Sequence, residues 1–365
     1  MSSFQLNIFK EINKDNNRKN ITVSPISIYH ILSLATNGAA NETLKEMLEA
    51  LCYKNLENLN KDNKSIASLI ENSESVEIAN IVFTKNKPLK SFTEVIKEYK
   101  AKICSLKDVD KINKWCSKTT HGKIEKVIEH LDPFDIMVLI NVIYFKGVWL
   151  KRFNKINTYG KIFYNYNIEP LFLNFMNTLD IFDYFENHNI QAITMKYKHD
   201  NMVATIILPD TKYNINDYID KFTLATYKNI IKKMKNQKVE IYLPKFEIKY
   251  EEELSESFIS LGMVQAFSSK ADFTSMIKDA NDVRINKIIH KTYIKIDEEG
   301  TEASAVTAVS VKKSLSFFTP KIPRIPIMNV NRPFLFIIRN ERLPCGNDII
   351  FISKIEMLKP SFIFN

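Results

Sequence analysis

The residues able to do chemistry are few and scattered. Six histidines occur and none falls at HExxH or HxH spacing, so a zinc hydrolase has no ligand set. No serine sits in a GxSxG elbow. The seven glycines, at 38, 122, 147, 160, 262, 300 and 346, are too dispersed for GxGxxG or for a phosphate loop ending in GKS or GKT. That removes most nucleotide-dependent enzymes. The four cysteines, Cys52, Cys104, Cys116 and Cys345, show neither CxxC nor metal spacing and read as free thiols. With no nucleophile–base constellation and no cofactor signature, the chain reads as a protein that is not an enzyme.

The elements around these residues follow from patterning. Of 365 residues, 45% are apolar and 25% charged, ordinary for a globular chain with a large core. The net charge of +9 is spread through mixed Lys/Asn/Glu segments, so no nucleic-acid partner is expected. The densest basic run, Lys228 to Lys238, reads as one solvated helix face, with a polyanion site as the alternative. The longest apolar stretch, around Ile136 to Phe145, is short and broken by Asn141, which implies no membrane span. The first residues lack the basic start and apolar run of a secretory signal, so a cytoplasmic location is expected.

Helical patterns dominate early: Ile28–Thr36, a helix opening behind an Asn41 cap, Leu89–Lys102 and Lys111–Ile128. Strands dominate later: Val138–Phe145, Met202–Leu208, Val239–Leu243, Thr292–Ile296, Phe334–Arg339 and Ile349–Ile355. Val138–Phe145 is apolar on both faces, as a central strand should be. Helices first and strands after, without alternation, indicate an α+β fold. The stretch between Gly300 and Pro333 has no core pattern, and an irregular segment of that length is usually functional.

Motifs in a fixed order carry a family resemblance. They begin with Asn20-Ile21-Thr22-Val23-Ser24-Pro25-Ile26-Ser27 and Asn37-Gly38-Ala39-Ala40-Asn41-Glu42-Thr43, followed by Trp115 with Thr120-His121-Gly122-Lys123-Ile124. Asn141-Val142-Ile143-Tyr144-Phe145-Lys146-Gly147-Val148-Trp149 is the most specific. Leu243-Pro244-Lys245-Phe246, His290-Lys291, Asp297-Glu298-Glu299-Gly300-Thr301-Glu302-Ala303 and Asn331-Arg332-Pro333-Phe334 complete the set. Together they resemble the serpins, and in particular the intracellular, ovalbumin-like inhibitory type. The resemblance implies a single domain over residues 1–365, three β-sheets, about nine helices and an exposed reactive-centre loop at about 298–332. It also implies a mechanism: a protease cleaves the loop, stays acylated to it, and is disabled when the loop inserts into the central sheet.

The loop itself is physically able to insert. Alternate residues of a central strand are buried, and here the inward set is Thr301, Ala303, Ala305, Thr307, Val309 and Val311, all small or β-branched. The only charge, Glu302, falls on the outward set, and the first lysine comes at 312. Proline, which cannot serve in a central strand, is absent from 301 to 319 and then occurs at 320, 323 and 326. The stretch from Thr301 to Lys313 would add about 43 Å of strand at roughly 3.3 Å per residue.

The resemblance assigns roles by position. Glu298, Gly300, Thr301, Ala303 and Ala305 form the loop hinge. Ser24, Ser27, Asn141 and His290 form the shutter below the point where the sheet parts. Trp149, Lys245 and Glu298 form the breach where insertion begins, with an expected Lys245–Glu298 ion pair. Counting fourteen positions on from Gly300 puts the cut after Ser314, before Leu315, with Lys313 and Phe317 as neighbouring candidates. Counting back from Pro333 lands near Ile322 instead. The expected partner is a serine protease, chymotrypsin- or cathepsin-G-like or trypsin-like, held covalently by a monomer that is also open to loop–sheet polymerisation. A non-inhibitory serpin (chaperone, carrier or storage protein) and a cross-class cysteine protease inhibitor are the alternatives.

Overall fold

The computed structural model describes residues 2–16, 18–84, 87–105, 109–129, 137–165, 169–278, 282–301 and 324–359. Its first third is mainly helical: α1 (Ser2–Asp15), β1 (Ile21–Val23), α2 (Pro25–Thr36), α3 (Asn41–Ala50), α4 (Leu56–Glu71), β2 (Val76–Thr84), α5 (Lys90–Glu98), β3 (Lys102–Cys104) and α6 (Val109–Thr119). Strands follow: β4 (Met137–Phe145), β5 (Gly147–Val148), β6 (Thr158–Phe163), β7 (Leu171–Glu186), β8 (Ile190–Lys196) and β9 (Met202–Pro209). After α7 (Ile215–Lys221) and α8 (Leu224–Lys233) come β10 (Lys235–Pro244), β11 (Phe246–Glu253), α9 (Ser255–Ser260) and β12 (Ile285–Ile296). The chain ends with β13 (Gly300–Thr301), β14 (Ile327–Asn329), β15 (Phe334–Asn340) and β16 (Ile349–Ile355). This is an α+β fold with nine α-helices among the described residues. None of these helices is long and apolar enough to cross a membrane.

The strands form a nine-stranded sheet, β1-β16-β15-β9-β8-β7-β10-β14 with β6 on β7, a five-stranded sheet, β11-β12-β4-β2-β3, and a small β13–β5 pair. In the five-stranded sheet the interior neighbours β4 and β12 run parallel, while β11–β12 and β4–β2 are antiparallel. Every residue of β4 is buried, because it is covered on both faces. Its even positions, Val138, Ile140, Val142 and Tyr144, pack with Ile112 and Cys116 of α6 and with Ile124, Val127 and Ile128 just after it. Its odd positions, Met137, Leu139, Ile143 and Phe145, join the main core with α2. Asn141 belongs to the odd set, so a polar group is placed on the α2 side.

Several boundaries differ from the sequence reading. The helix expected over Lys111–Ile128 stops at Thr119, because His121 (φ 50°) and Gly122 (φ 76°) leave the helical region and Gly122 N–H closes on Ser117 O at 2.7 Å. The helix expected over Leu89–Lys102 stops at Glu98, and Lys102 begins a strand. Ala40, not Asn41, is the cap of α3, while the Asn41 side chain donates to Asp272. The basic run Lys228–Lys238 is not one helix face; it is divided between α8 and β10. All four cysteines are free.

Candidate functional site

Two groups of polar residues lie along the join between β4 and β12. The lower one starts with local chemistry at the N-terminus of α2. The Ser24 side chain accepts from Ser27 N–H at 3.4 Å and Pro25 occupies the first turn, where its missing N–H costs nothing. This cap fixes Ser24 N–H outward, and it donates to His290 Nε2 at 3.1 Å. Nε2 is therefore the acceptor nitrogen, so Nδ1 carries the proton and donates to Asn141 Oδ1 at 2.7 Å. The Asn141 amide in turn donates to Asn80 Oδ1 at 2.6 Å and to the Ser27 hydroxyl. One network thus joins β12 (His290), β4 (Asn141), β2 (Asn80) and α2 (Ser27), and all four side chains are buried. His290 and Asn141 are direct neighbours in the parallel register. Burial pushes the His290 imidazole down to about 3, so the ring is neutral at physiological pH.

The upper group sits where β12 ends. Lys245 Nζ lies 2.8 Å from Glu298 Oε2, so these two side chains form an ion pair, and Thr158 donates to Glu298 Oε1 at 2.8 Å. Burial would raise the Glu298 carboxyl, but the hydrogen bonds from Lys245 and Thr158 outweigh it, and the group lies below its ordinary range. The neighbouring Glu299 pairs with Arg152 at 2.7 Å. Trp149 is buried, donates from its indole nitrogen to Asp297 O at 3.0 Å, and stacks on Tyr197 with ring centroids 4.3 Å apart. Backbone bonds from Trp149 N–H to Glu299 O (2.9 Å) and from Phe153 N–H to Glu298 O (3.0 Å) hold the acidic turn against this corner.

Gly300 and Thr301 pair with Val148 and Gly147 at the head of β4. The glycine is required there: its φ is 142°, and a Cβ would lie 2.1 Å from the Gly147 carbonyl oxygen. Thr301 is fully buried. The structure therefore brings Ser24, Ser27, Asn141 and His290 into one cluster, and Trp149, Lys245, Glu298, Gly300 and Thr301 into another. The remaining sequence-stated positions, Ala303, Ala305, Lys313, Ser314, Leu315 and Phe317, lie outside the described residues. Asn80 and Tyr197 were not singled out from the sequence. Only Asn80 carried a signal, as an amide inside an apolar strand run.

The family profile described as Serpin (serine protease inhibitor) matches residues 1–357. Human Serpin B8 is 28% identical over 94% of this chain and 95% of its own length. The leukocyte elastase inhibitor of Xenopus laevis is 30% identical over 92% of this chain and 93% of its own. The crystal structure of tengpin, a thermophilic serpin in the native state, superposes with a TM-score of 0.87 at 32% identity, covering 98% of this chain and 93% of that one. The chain belongs to the serpin family, whose members are generally protease inhibitors rather than catalysts.

Proposed function

We propose that this serpin is inhibitory and traps a serine protease as a suicide substrate. The observation that carries the reading is the pairing at the centre of the sheet. β4 and β12 are parallel neighbours, and the chain leaving β12 has already turned back between their upper ends. A strand continuing from Thr301 runs antiparallel to both, so insertion exchanges one parallel ladder for two antiparallel ones, which are slightly more stable per residue. The shutter residues Ser24, Ser27, Asn141 and His290 join the two strands by side chains that can be re-paired after separation. The breach residues Trp149, Lys245 and Glu298 shape the point where the strands part.

The protease serine attacks the carbonyl carbon at the scissile bond, its ester replaces the peptide bond, and the new amino terminus departs. Insertion of residues 301–313 then competes with water for that ester. This chain supplies bait and stored free energy; the nucleophile is the protease's. The bond after Ser314 fits the insertable length, with Lys313 and Phe317 as neighbours suited to trypsin-like and chymotrypsin-like pockets. Target enzymes accepting large apolar residues rank first. The Xenopus relative named as an elastase inhibitor supports a serine protease partner.

Incubation with chymotrypsin, cathepsin G, trypsin and elastase tests the reading. A complex that survives boiling, together with a large rise in melting temperature after loop cleavage, is expected. Cleavage with neither would overturn it in favour of a non-inhibitory serpin, and a stable complex formed only with a cysteine protease would move the target class.

A further inference from the structure

The start of strand addition is already built into the uncleaved molecule. Asp297 N–H donates to Gly300 O at 2.9 Å and Gly300 N–H donates to Asp297 O at 3.2 Å, closing a two-residue turn over Glu298 and Glu299. Past the turn, the Thr301 hydroxyl lies 3.0 Å from the Tyr197 hydroxyl, and both groups are buried. The Tyr197 ring has little freedom. It is stacked on Trp149 at an interplanar angle of 10° and meets Phe145 edge-on with centroids 5.1 Å apart. A Cβ on Gly147 would come within 2.6 Å of it, so the ring fills the space that the glycine leaves. Its backbone is bridged to Trp149 and bonded to Met202 O at 2.9 Å. Burial also keeps the phenol protonated. The hydroxyl is thus a fixed point, and Thr301 comes to it.

We infer that Tyr197 is a positioning residue for inhibition: its hydroxyl holds Thr301 at the head of β4, so that insertion starts from a formed nucleus. The inference rests on the reading that this chain traps a protease by strand insertion. Nucleation is the costly part of adding ordered chain, because the first residues lose conformational freedom before neighbours reward them. With Gly300 and Thr301 seated, the next event is separation of the Tyr144–Tyr293 pair directly below. Without the seat, the cleaved loop must first find the gap while water attacks the acyl-enzyme. The contact therefore sets the partition between trapped complex and released cleaved inhibitor.

The test uses the full chain with Tyr197→Phe, Thr301→Val, Thr301→Ser and the double Tyr197→Phe/Thr301→Val variant. Two readouts are taken: the ratio of covalent complex to cleaved product with an inhibited protease, and the rate of thermal stabilisation after the loop is nicked by papain. Loss of one neutral hydrogen bond predicts about a fivefold fall in both for Tyr197→Phe and Thr301→Val. Thr301→Ser should stay near the wild type, and the double variant should fall no further than the worse single one. A merely structural role would lower the melting temperature and leave the partition unchanged. Wild-type partition in both single variants, or losses that add in the double one, would overturn the inference while leaving the inhibitory reading intact. If the wild type itself gives neither complex nor thermal gain, the inhibitory reading fails, and this one with it.

Discussion

At the scale of single residues, the site depends on protonation and on one glycine. Neutral His290 accepts from Ser24 N–H and donates to Asn141; a second ring proton would set two donors against each other at Ser24. Its folded value of about 3 lies below the ordinary 6.5. Between those values the unfolded chain binds more protons, so stability is highest above about pH 6.5 and is lost as the pH falls through that window. From pH 7 to pH 5 this one group should cost about 2 kcal/mol. His30 is also buried with a lowered value and contributes in the same direction. The clean measurement is therefore the change in urea midpoint between the two pH values for the wild type and for His290→Gln; equal changes would dismiss the His290 contribution. Gly300→Ala is a harsher case. The added methyl meets the Gly147 carbonyl at 2.1 Å, so the seat must open. Amide exchange at Thr301 should rise by an order of magnitude or more, as expected for a loss above about 1.4 kcal/mol. The residues of both clusters were legible because their motifs are local in sequence, as in Asp297 to Thr301. Tyr197 was not, since its role comes from a ring packed against Trp149 and Phe145 that no spacing announces.

At the scale of elements, the front of the sheet is covered by α6 and the chain that follows it. The Asn113 side chain helps to fasten that cover. Asn113 Oδ1 accepts from Val127 N–H at 2.8 Å and from Ile128 N–H at 3.2 Å, and its amide donates to Ile128 O at 2.8 Å. Lys291 of β12 reaches across to Lys126 O at 2.9 Å. Ile124, Val127 and Ile128 pack in one cluster with Tyr144 and Tyr293, the pair that would separate first in the proposed insertion. The proposed parting of β4 and β12 would therefore require the cover to shift. Asn113→Ala leaves two backbone N–H groups without their acceptor, which costs about 1–3 kcal/mol. The expected result is faster exchange at Val127 and Ile128, a lower melting temperature of the uncleaved protein and quicker insertion after nicking. Unchanged exchange would remove Asn113 from this role. The sequence reading merged this cover into one helix running to Ile128, because apolar spacing continues past Thr119 while the reversal at His121 and Gly122 is a backbone event. β4, β9, β15 and β16 were readable as dense apolar runs. β7 was missed because Asn177, Asp180 and Asp183 interrupt it, and β2 was not recognised beside the helices around it.

At the scale of the whole molecule, the proposed trapping mechanism requires that the uncleaved fold not be the most stable arrangement of its own chain. The five-stranded sheet is closed along eight paired positions from Ile285/Met137 to Tyr293/Tyr144, and the proposed insertion would give these pairs up. In that proposal they would be replaced by a strand with two antiparallel ladders and a buried inward face. The stored free energy therefore depends on that inward face being uncharged throughout. Thr307 belongs to the inward set and Ala308 to the outward one. An arginine at 307 would have to be buried without a partner in the completed sheet, at a cost of several kcal/mol, whereas an arginine at 308 would point to solvent. Both variants leave the residues after 308 untouched, so the protease should still cleave. Thr307→Arg should convert the protein into a substrate, with cleavage but little complex and a much smaller gain in melting temperature. Ala308→Arg should keep both within about twofold of the wild type. Denaturing gels and melts of the cleaved proteins read the difference directly. Equal behaviour of the two variants would mean that the cleaved loop does not become a strand of this sheet, and that the alternation along it serves some other end.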